Sequence, residues 1–197
     1  RTGLYLVFTL GNPGETYAHT RHNVGFDTLD IIAASFGLKL KRRCFRKYMQ
    51  AVAMLPSGSQ ATFVKPLTYM NNSGAIAKYF IGKRFEVQQL IVVCDNLDLP
   101  VGSIRIRQGG STAGHKGLIS LAHHIGSTDF IRIYIGIGRP AQAATVVEHV
   151  LGSPDDDDER KALDKAIGNA ADAVISLCDG TDIQEVMRAY NRRSKGN

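Results

Sequence analysis

The sequence predicts an α/β fold, a three-layer α/β/α sandwich built on one central, mixed and twisted β-sheet. Three observations carry that expectation. Residues 4–10 and 90–94 are short, continuous apolar runs, the pattern of strands buried on both faces of a sheet. Helical periodicity recurs between the strand-like runs, and strands interleaved with helices pack as helices on the two faces of a sheet. A turn-forming Pro56-Ser57-Gly58-Ser59 joins two further strand-like runs as a hairpin, so not every strand is parallel.

In chain order, the first strand, 4–10, runs into the tight turn Gly11-Asn12-Pro13-Gly14. Leu29, Ile32, Ala33 and Phe36 recur at helical spacing and place the first helix, with Asn23 as its expected N-cap. Residues 49–55 and 61–65 are the hairpin strands, and Ile76, Ala77, Phe80 and Ile81 place a helix within 73–83. The buried strand 90–94 follows, then 104–107 and 131–137, whose cleaner alternation predicts one wetter face, with a helix over 115–125 between them. Leu163, Ile167, Ala170, Val174 and Leu177, then Ile183, Val186, Met187 and Tyr190, place two C-terminal helices. For the first of these, Ser153 is the expected cap and Pro154 the expected first helical residue, with the acidic run 155–159 at the positive end of the helix dipole.

A chain of 197 residues suits one domain, spanning 1–197. At this length roughly 70% of the unfolded surface can be buried, so the 44% apolar content builds a core without disulfides or a structural metal. No apolar run approaches the roughly 20 residues that span a bilayer, and 4–10 is too short for a signal-peptide core. Membrane and secreted classes are therefore set aside and a cytoplasmic location is expected, although the chain starts at Arg1 rather than Met, which leaves organelle import open. Cys44, Cys94 and Cys178, odd in number and without a C-x-x-C pair, fit a reducing compartment.

The formal charge is +6 and its distribution is uneven. Lys39, Lys41, Arg42, Arg43, Arg46 and Lys47 fall within nine residues, Arg105 and Arg107 alternate along one strand face, and Arg188, Arg192, Arg193 and Lys195 crowd the C-terminus. A nucleic-acid ligand is the natural inference, against the plainer reading of a solvated basic face and a frayed tail.

In open α/β sheets the ligand crevice lies beyond the carboxyl ends of the strands. Asn12 follows the first apolar strand and Asp95 follows the fourth, so both belong at that end. His22, in Thr20-Arg21-His22-Asn23-Val24-Gly25, stands just before a helix, whose positive end favours the neutral imidazole. The turn Gly109-Gly110-Ser111-Thr112-Ala113-Gly114 offers amides at a second helix start, where an anion can sit, yet it lacks the ending of a P-loop. G-x-G-x-x-G, G-x-S-x-G and H-E-x-x-H are all missing, and neither His19 with His22 nor His123 with His124 has the acidic partners of a metal site. No metal and no cofactor is expected. A histidine, an aspartate and several amides suffice for a base-activated water attacking a carbonyl already disposed to react.

Five motifs then occur in order: Leu10-Gly11-Asn12-Pro13-Gly14, the His22 segment just quoted, Lys65-Pro66-Leu67-Thr68-Tyr69-Met70-Asn71, Asp95-Asn96-Leu97-Asp98-Leu99-Pro100 and Ile135-Gly136-Ile137-Gly138-Arg139-Pro140. Together they resemble the bacterial-type peptidyl-tRNA hydrolase family over nearly the whole chain. The resemblance implies a metal-free esterase that cleaves peptide from the 3′ ribose of tRNA and recycles tRNA for translation, acting as a monomer with peptidyl-tRNA, through its acceptor stem and 3′ end, as substrate rather than partner. It implies His22 as general base, Asp95 as the group orienting its ring, Asn12 and Asn71 as amides positioning substrate and facing the oxyanion, and Met70 beside the ester. It also implies Tyr17, Arg107, Lys116 and Arg132 as substrate-binding residues. Two positions depart from the family pattern: Lys116 stands where Asn is usual and Tyr134 where a phosphate-binding Arg is usual, with Arg132 two residues earlier. The expectation drawn from the departures is that Lys116 partly restores the charge missing at Tyr134. The competing reading is a non-catalytic RNA-binding relative of the same fold, and a weaker one is a small-ester hydrolase that does not need RNA.

Overall fold

The structure is a computed structural model and describes residues 4–141 and 144–191. Its strands are β1 (Leu4–Thr9), β2 (Lys41–Arg42), β3 (Tyr48–Met54), β4 (Gln60–Pro66), β5 (Leu90–Asn96), β6 (Ile104–Gln108) and β7 (Ile131–Gly136). They form one seven-stranded sheet in the order β2-β3-β4-β1-β5-β7-β6. The inner strands β4, β1, β5 and β7 run parallel, whereas β2 on β3, β3 on β4 and β6 on β7 are antiparallel, which is the mixed sheet the hairpin signal calls for.

The helices are α1 (Val24–Phe36), α2 (Lys116–Ile125), α3 (Val146–Val150), α4 (Asp157–Cys178) and α5 (Ile183–Tyr190). Alternate residues of β1 and β5 point to opposite faces, as the period of a strand requires. Val7, Ile91 and Val93 pack under α1, α4 and α5, while Leu6, Phe8 and Val92 pack under α2 and a 3-10 helix over Met70–Tyr79. Phe8 is fully buried and meets Phe80 edge-on at 5.7 Å. Burial of such a ring stabilises the fold by about 2–3 kcal/mol.

Three local expectations are corrected. The helix within 73–83 is a 3-10 helix that starts three residues earlier at Met70 and is broken at Asn72 (φ −123°, ψ 21°). Its cap position is Tyr69, at φ 65°, so Asn71 lies inside the first turn. At α4 the cap is Asp156, whose side chain accepts from Glu159 N, and not Ser153. Arg21 pairs with Glu159 at 2.9 Å, which ties the first turn of α4 to the segment holding His22 and favours the later start. Asn23 occupies the cap position of α1, but its Oδ1 accepts from Asn12 N at 2.8 Å and caps nothing in the helix.

Candidate active site

The carboxyl ends of β1 and β5, the start of the 3-10 helix, the N-terminus of α2 and the α3 segment surround a cleft of about 290 Å³. Asn12, His22, Met70, Asn71, Asp95 and Lys116 all line it, although they are spread over more than a hundred residues of chain. The approach of α1 to the sheet brings His22 there. A Cβ on Gly25 would lie 2.5 Å from Leu10 O and 2.7 Å from Val93 O, so only glycine lets α1 rest directly on the β1 and β5 backbones.

His22 Nδ1 lies 2.9 Å from both carboxylate oxygens of Asp95. A second histidine, His115, meets the same carboxylate, with Nε2 2.8 Å from Oδ1. His115 is also the N-cap of α2, and its Nδ1 accepts from Gly117 N at 3.1 Å and Leu118 N at 3.3 Å. An imidazole nitrogen that accepts carries no proton, so neutral His115 holds its proton on Nε2 and donates to Asp95. Asp95 is 2% exposed. Burial alone would raise its carboxyl, but the charges and hydrogen bonds of His115 and His22 outweigh burial and hold it well below the usual carboxylate range. An ionised Asp95 accepts Nδ1–H of His22, which leaves His22 Nε2 with its lone pair in a residue that lines the cleft.

The nitrogen and oxygen atoms of His22, Asp95 and His115 lie within 4.8 Å of one another, the separation of a metal-ligand set. Their chemistry does not fit one. The Nε2 proton that the α2 amides impose on His115 blocks its metal-ligating lone pair, and two ligands fall short of a typical zinc site.

Asn12 is 8% exposed and is held from both sides. Its Oδ1 accepts from Met70 N at 2.7 Å and its backbone carbonyl accepts from Asn23 Nδ2 at 2.9 Å. With Oδ1 occupied, the free function of the Asn12 side chain is the Nδ2 donor. Met70 serves both core and cleft: it is 3% exposed and also lines the cleft. A Cβ on Gly117 would fall 2.6 Å from Met70 Sδ, so glycine there makes room for the thioether. Asn71 is exposed on the cleft wall.

The remaining sequence-predicted residues separate. Lys116 lines the cleft as the exposed first residue of α2, and Tyr134 lines it from β7, buried, with its hydroxyl pKa pushed up to about 12 by burial first and by Cys94 next. Tyr17 lies outside the cleft wall, its ring edge-on to Tyr69 at 6.2 Å. Arg107 is exposed on β6 and stands against Gly110 of the glycine-rich turn, outside the cleft wall. Arg132 does not present its charge to a ligand: it is 0% exposed, and its guanidinium donates to Gly110 O at 2.9 Å and Phe130 O at 3.3 Å while lying 4.5 Å from the centre of the Phe130 ring. The physical reason is that β7 is an inner strand covered on both faces, so Arg132 braces the turn from beneath.

Sequence reading missed His115, although its place at the end of the glycine-rich turn and before a helix was a usable signal. It also missed the apolar wall formed by Val146, Val147, Val150 and Leu151. Val147 is 55% exposed, and no pattern along the sequence distinguishes such a short apolar helix from a piece of core.

Comparison with known proteins agrees with the motifs. The sequence model of the peptidyl-tRNA hydrolase family matches residues 6–197. The peptidyl-tRNA hydrolase of Geobacillus kaustophilus is 43% identical over 187 residues, which cover 94% of this chain and 98% of that one. That of Lactococcus lactis subsp. cremoris is 40% identical, covering 94% and 98%. Among solved structures, peptidyl-tRNA hydrolase from Acinetobacter baumannii superposes with a TM-score of 0.85 at 33% identity, covering 95% of each chain. A complex of a peptidyl-tRNA hydrolase with N-propanol gives 0.87 at 32% identity, covering 98% and 97%. With its motifs in order and its sheet and helix layers shared throughout, the chain belongs to the peptidyl-tRNA hydrolase family.

Proposed function

We propose that this chain hydrolyses the ester between a peptide and the 3′ ribose of tRNA by a water that His22 deprotonates. The observation that carries the reading is the double acceptance at Asp95, which fixes the proton of His22 on Nδ1 and leaves Nε2 basic. Water gives its proton to Nε2 as its oxygen attacks the ester carbonyl. Asn12 Nδ2 and the Asn71 amide donate to the oxyanion that forms, each worth roughly 3 kcal/mol of barrier. As the carbonyl reforms, the bond to the ribose oxygen breaks and the imidazolium returns its proton to that oxygen. Asp95 stabilises the imidazolium in between. The apolar α3 wall offers a place for the peptide side chains, and Lys116 and Arg107 provide charge for RNA phosphates. Arg132 acts from beneath, by holding Gly110. We further propose that the working unit is a single-domain monomer in the cytoplasm. Among the described residues no helix is long and apolar enough to cross a membrane.

A non-catalytic RNA-binding role is disfavoured because nothing in RNA binding alone calls for a carboxylate that aligns two imidazoles. The test is release of tRNA from N-blocked aminoacyl-tRNA with and without EDTA. Cleavage is expected to be metal-independent and much faster than for the free-amine form. Equal rates on the two substrates, or loss in EDTA with recovery in zinc, overturns the proposal.

A further inference from the structure

Charge is divided along the sheet. Residues 31–85 contain ten Lys and Arg and no Asp or Glu, whereas the other 142 residues carry 14 Lys and Arg against 18 Asp and Glu. That segment supplies β2, β3, β4 and the 3-10 helix, so these elements at one edge of the sheet bring cations and no carboxylate of their own. Among the described residues, none of its ten cations pairs with a carboxylate.

The turn between β2 and β3 concentrates this charge around an aromatic ring. Arg42 Nε donates to Arg46 O at 2.8 Å and Arg46 N to Arg43 O at 3.1 Å, closing the turn. Phe45, at its tip, is 95% exposed with φ 61°. A bulky side chain there is strained, and the ring gains no burial in return, so the fold itself has no use for phenylalanine at this position. Beside it, the Arg46 guanidinium lies 4.1 Å from the centre of the Tyr79 ring, and Lys78 Nζ lies 5.4 Å from the same ring. Two like charges held around one aromatic ring are an arrangement that an anion relieves.

The turn lies at the same end of the sheet as the cleft. Tyr48 at the start of β3 pairs with Pro66 at the end of β4, and Leu67 N donates to Lys47 O at 2.8 Å, three residues before Met70.

We infer that the β2–β3 turn and the adjoining Lys78–Tyr79 corner form a second RNA-contact surface, on which the tRNA body of the substrate docks while its acylated end occupies the cleft. Phe45 stacks on an exposed base, and Arg43, Arg46 and Lys78 neutralise phosphates. A stacking platform flanked by unpaired cations is the chemistry of single-stranded and bulged RNA recognition. A bilayer needs a wider apolar face than one ring provides.

This inference rests on tRNA being the substrate, and the experiment separates the two. Kinetics of the wild-type protein, Phe45→Asn and Arg43→Gln are compared on N-blocked aminoacyl-tRNA and on the same N-blocked aminoacyl group esterified to a CCA trinucleotide. Phe45→Asn is expected to raise KM for the full tRNA about tenfold, the size of one lost base–aromatic stack, with kcat and the trinucleotide kinetics unchanged. Its Tm is expected not to fall, because asparagine tolerates a positive φ. Arg43→Gln should lower the salt slope of tRNA affinity by roughly 0.7 to 0.9. Unchanged KM for tRNA in both variants overturns the inference, and so does an equal rise on both substrates, or tighter binding of wild type than of the variants to phosphatidylserine vesicles without any difference on tRNA. Should the wild type cleave neither substrate, the hydrolase reading fails alone, and filter binding of uncharged tRNA to the three proteins still decides whether the surface holds RNA.

Discussion

Replacing Asp95 by Asn removes one charge while keeping the shape of the side chain, and the geometry sets the size of the effect. The amide oxygen can occupy the Oδ1 position, where it still accepts from His115 Nε2 at 2.8 Å. The amide nitrogen then takes the Oδ2 position, 2.9 Å from His22 Nδ1. His22 Nδ1 keeps one acceptor, the amide oxygen at the Oδ1 position 2.9 Å away, but faces a donor at Oδ2, so the preference for the Nδ1 tautomer weakens and more of His22 carries its proton on Nε2, the atom that must accept from water. Loss of the charge adds to this weakened tautomer preference. With the charges of imidazolium and carboxylate delocalised to an effective separation of about 4 Å, the lost stabilisation is about 4 kcal/mol at an effective dielectric of 20. That corresponds to roughly three decades in rate. Single-turnover release of tRNA from N-blocked aminoacyl-tRNA at saturating enzyme measures this directly, with tRNA affinity followed separately and expected to change little. His22→Ala should lose more, since no base remains. A folded Asp95→Asn protein within tenfold of the wild-type rate would refute the assignment of His22 as an Asp95-oriented base.

Other perturbations follow from the same geometry. His115→Ala takes the cap from α2 and leaves Gly117 N and Leu118 N without their acceptor, so thermal denaturation should show a loss of about 1 kcal/mol, with a rate loss smaller than that of Asp95→Asn. Gly25→Ala places a methyl against three backbone atoms that cannot yield, and should destabilise the protein by more than about 3 kcal/mol in urea unfolding. Arg107→Ala should lower the salt slope of tRNA binding by roughly 0.7 to 0.9. Arg132→Met, in contrast, should leave that slope unchanged and lower Tm, and the reverse pattern would restore Arg132 as a phosphate ligand. Lys116→Asn should raise KM for peptidyl-tRNA and reduce the slope if Lys116 offsets the charge missing at Tyr134; unchanged binding at every salt concentration makes it an incidental surface cation. Because the Asp95 carboxyl titrates lower in the folded protein than its unfolded value of about 3.9, its contribution to stability is complete above that pH and declines as pH falls below it, which unfolding at stepped pH in wild type and Asp95→Asn separates.

Strands and helices were legible from sequence because their signals are local: an apolar run such as Leu90 to Cys94 declares a buried strand wherever it lies, and Ile76 and Phe80 declare a helical face. Asn12 and Asp95 could be assigned to the ligand end of the sheet for the same reason, since a strand has only one carboxyl end. Departures arose where the outcome depends on a distant partner. Asp156 caps α4 three residues after Ser153, alongside the link from Arg21 to Glu159, 138 residues away along the chain. Arg132 reads as a surface cation until the sheet order makes β7 an inner strand and turns its guanidinium onto Gly110 O. His115 and Asp95, twenty residues apart with β6 between them, give no mutual sign in the sequence, and only the packing of α2 beside β5 makes them hydrogen-bond partners. Residue types and periodicity set which groups are available and which elements carry them. The protonation of those groups depends on contacts of about 3 Å, and contacts between elements that are remote in the chain exist only once the sheet and its two helical layers have assembled.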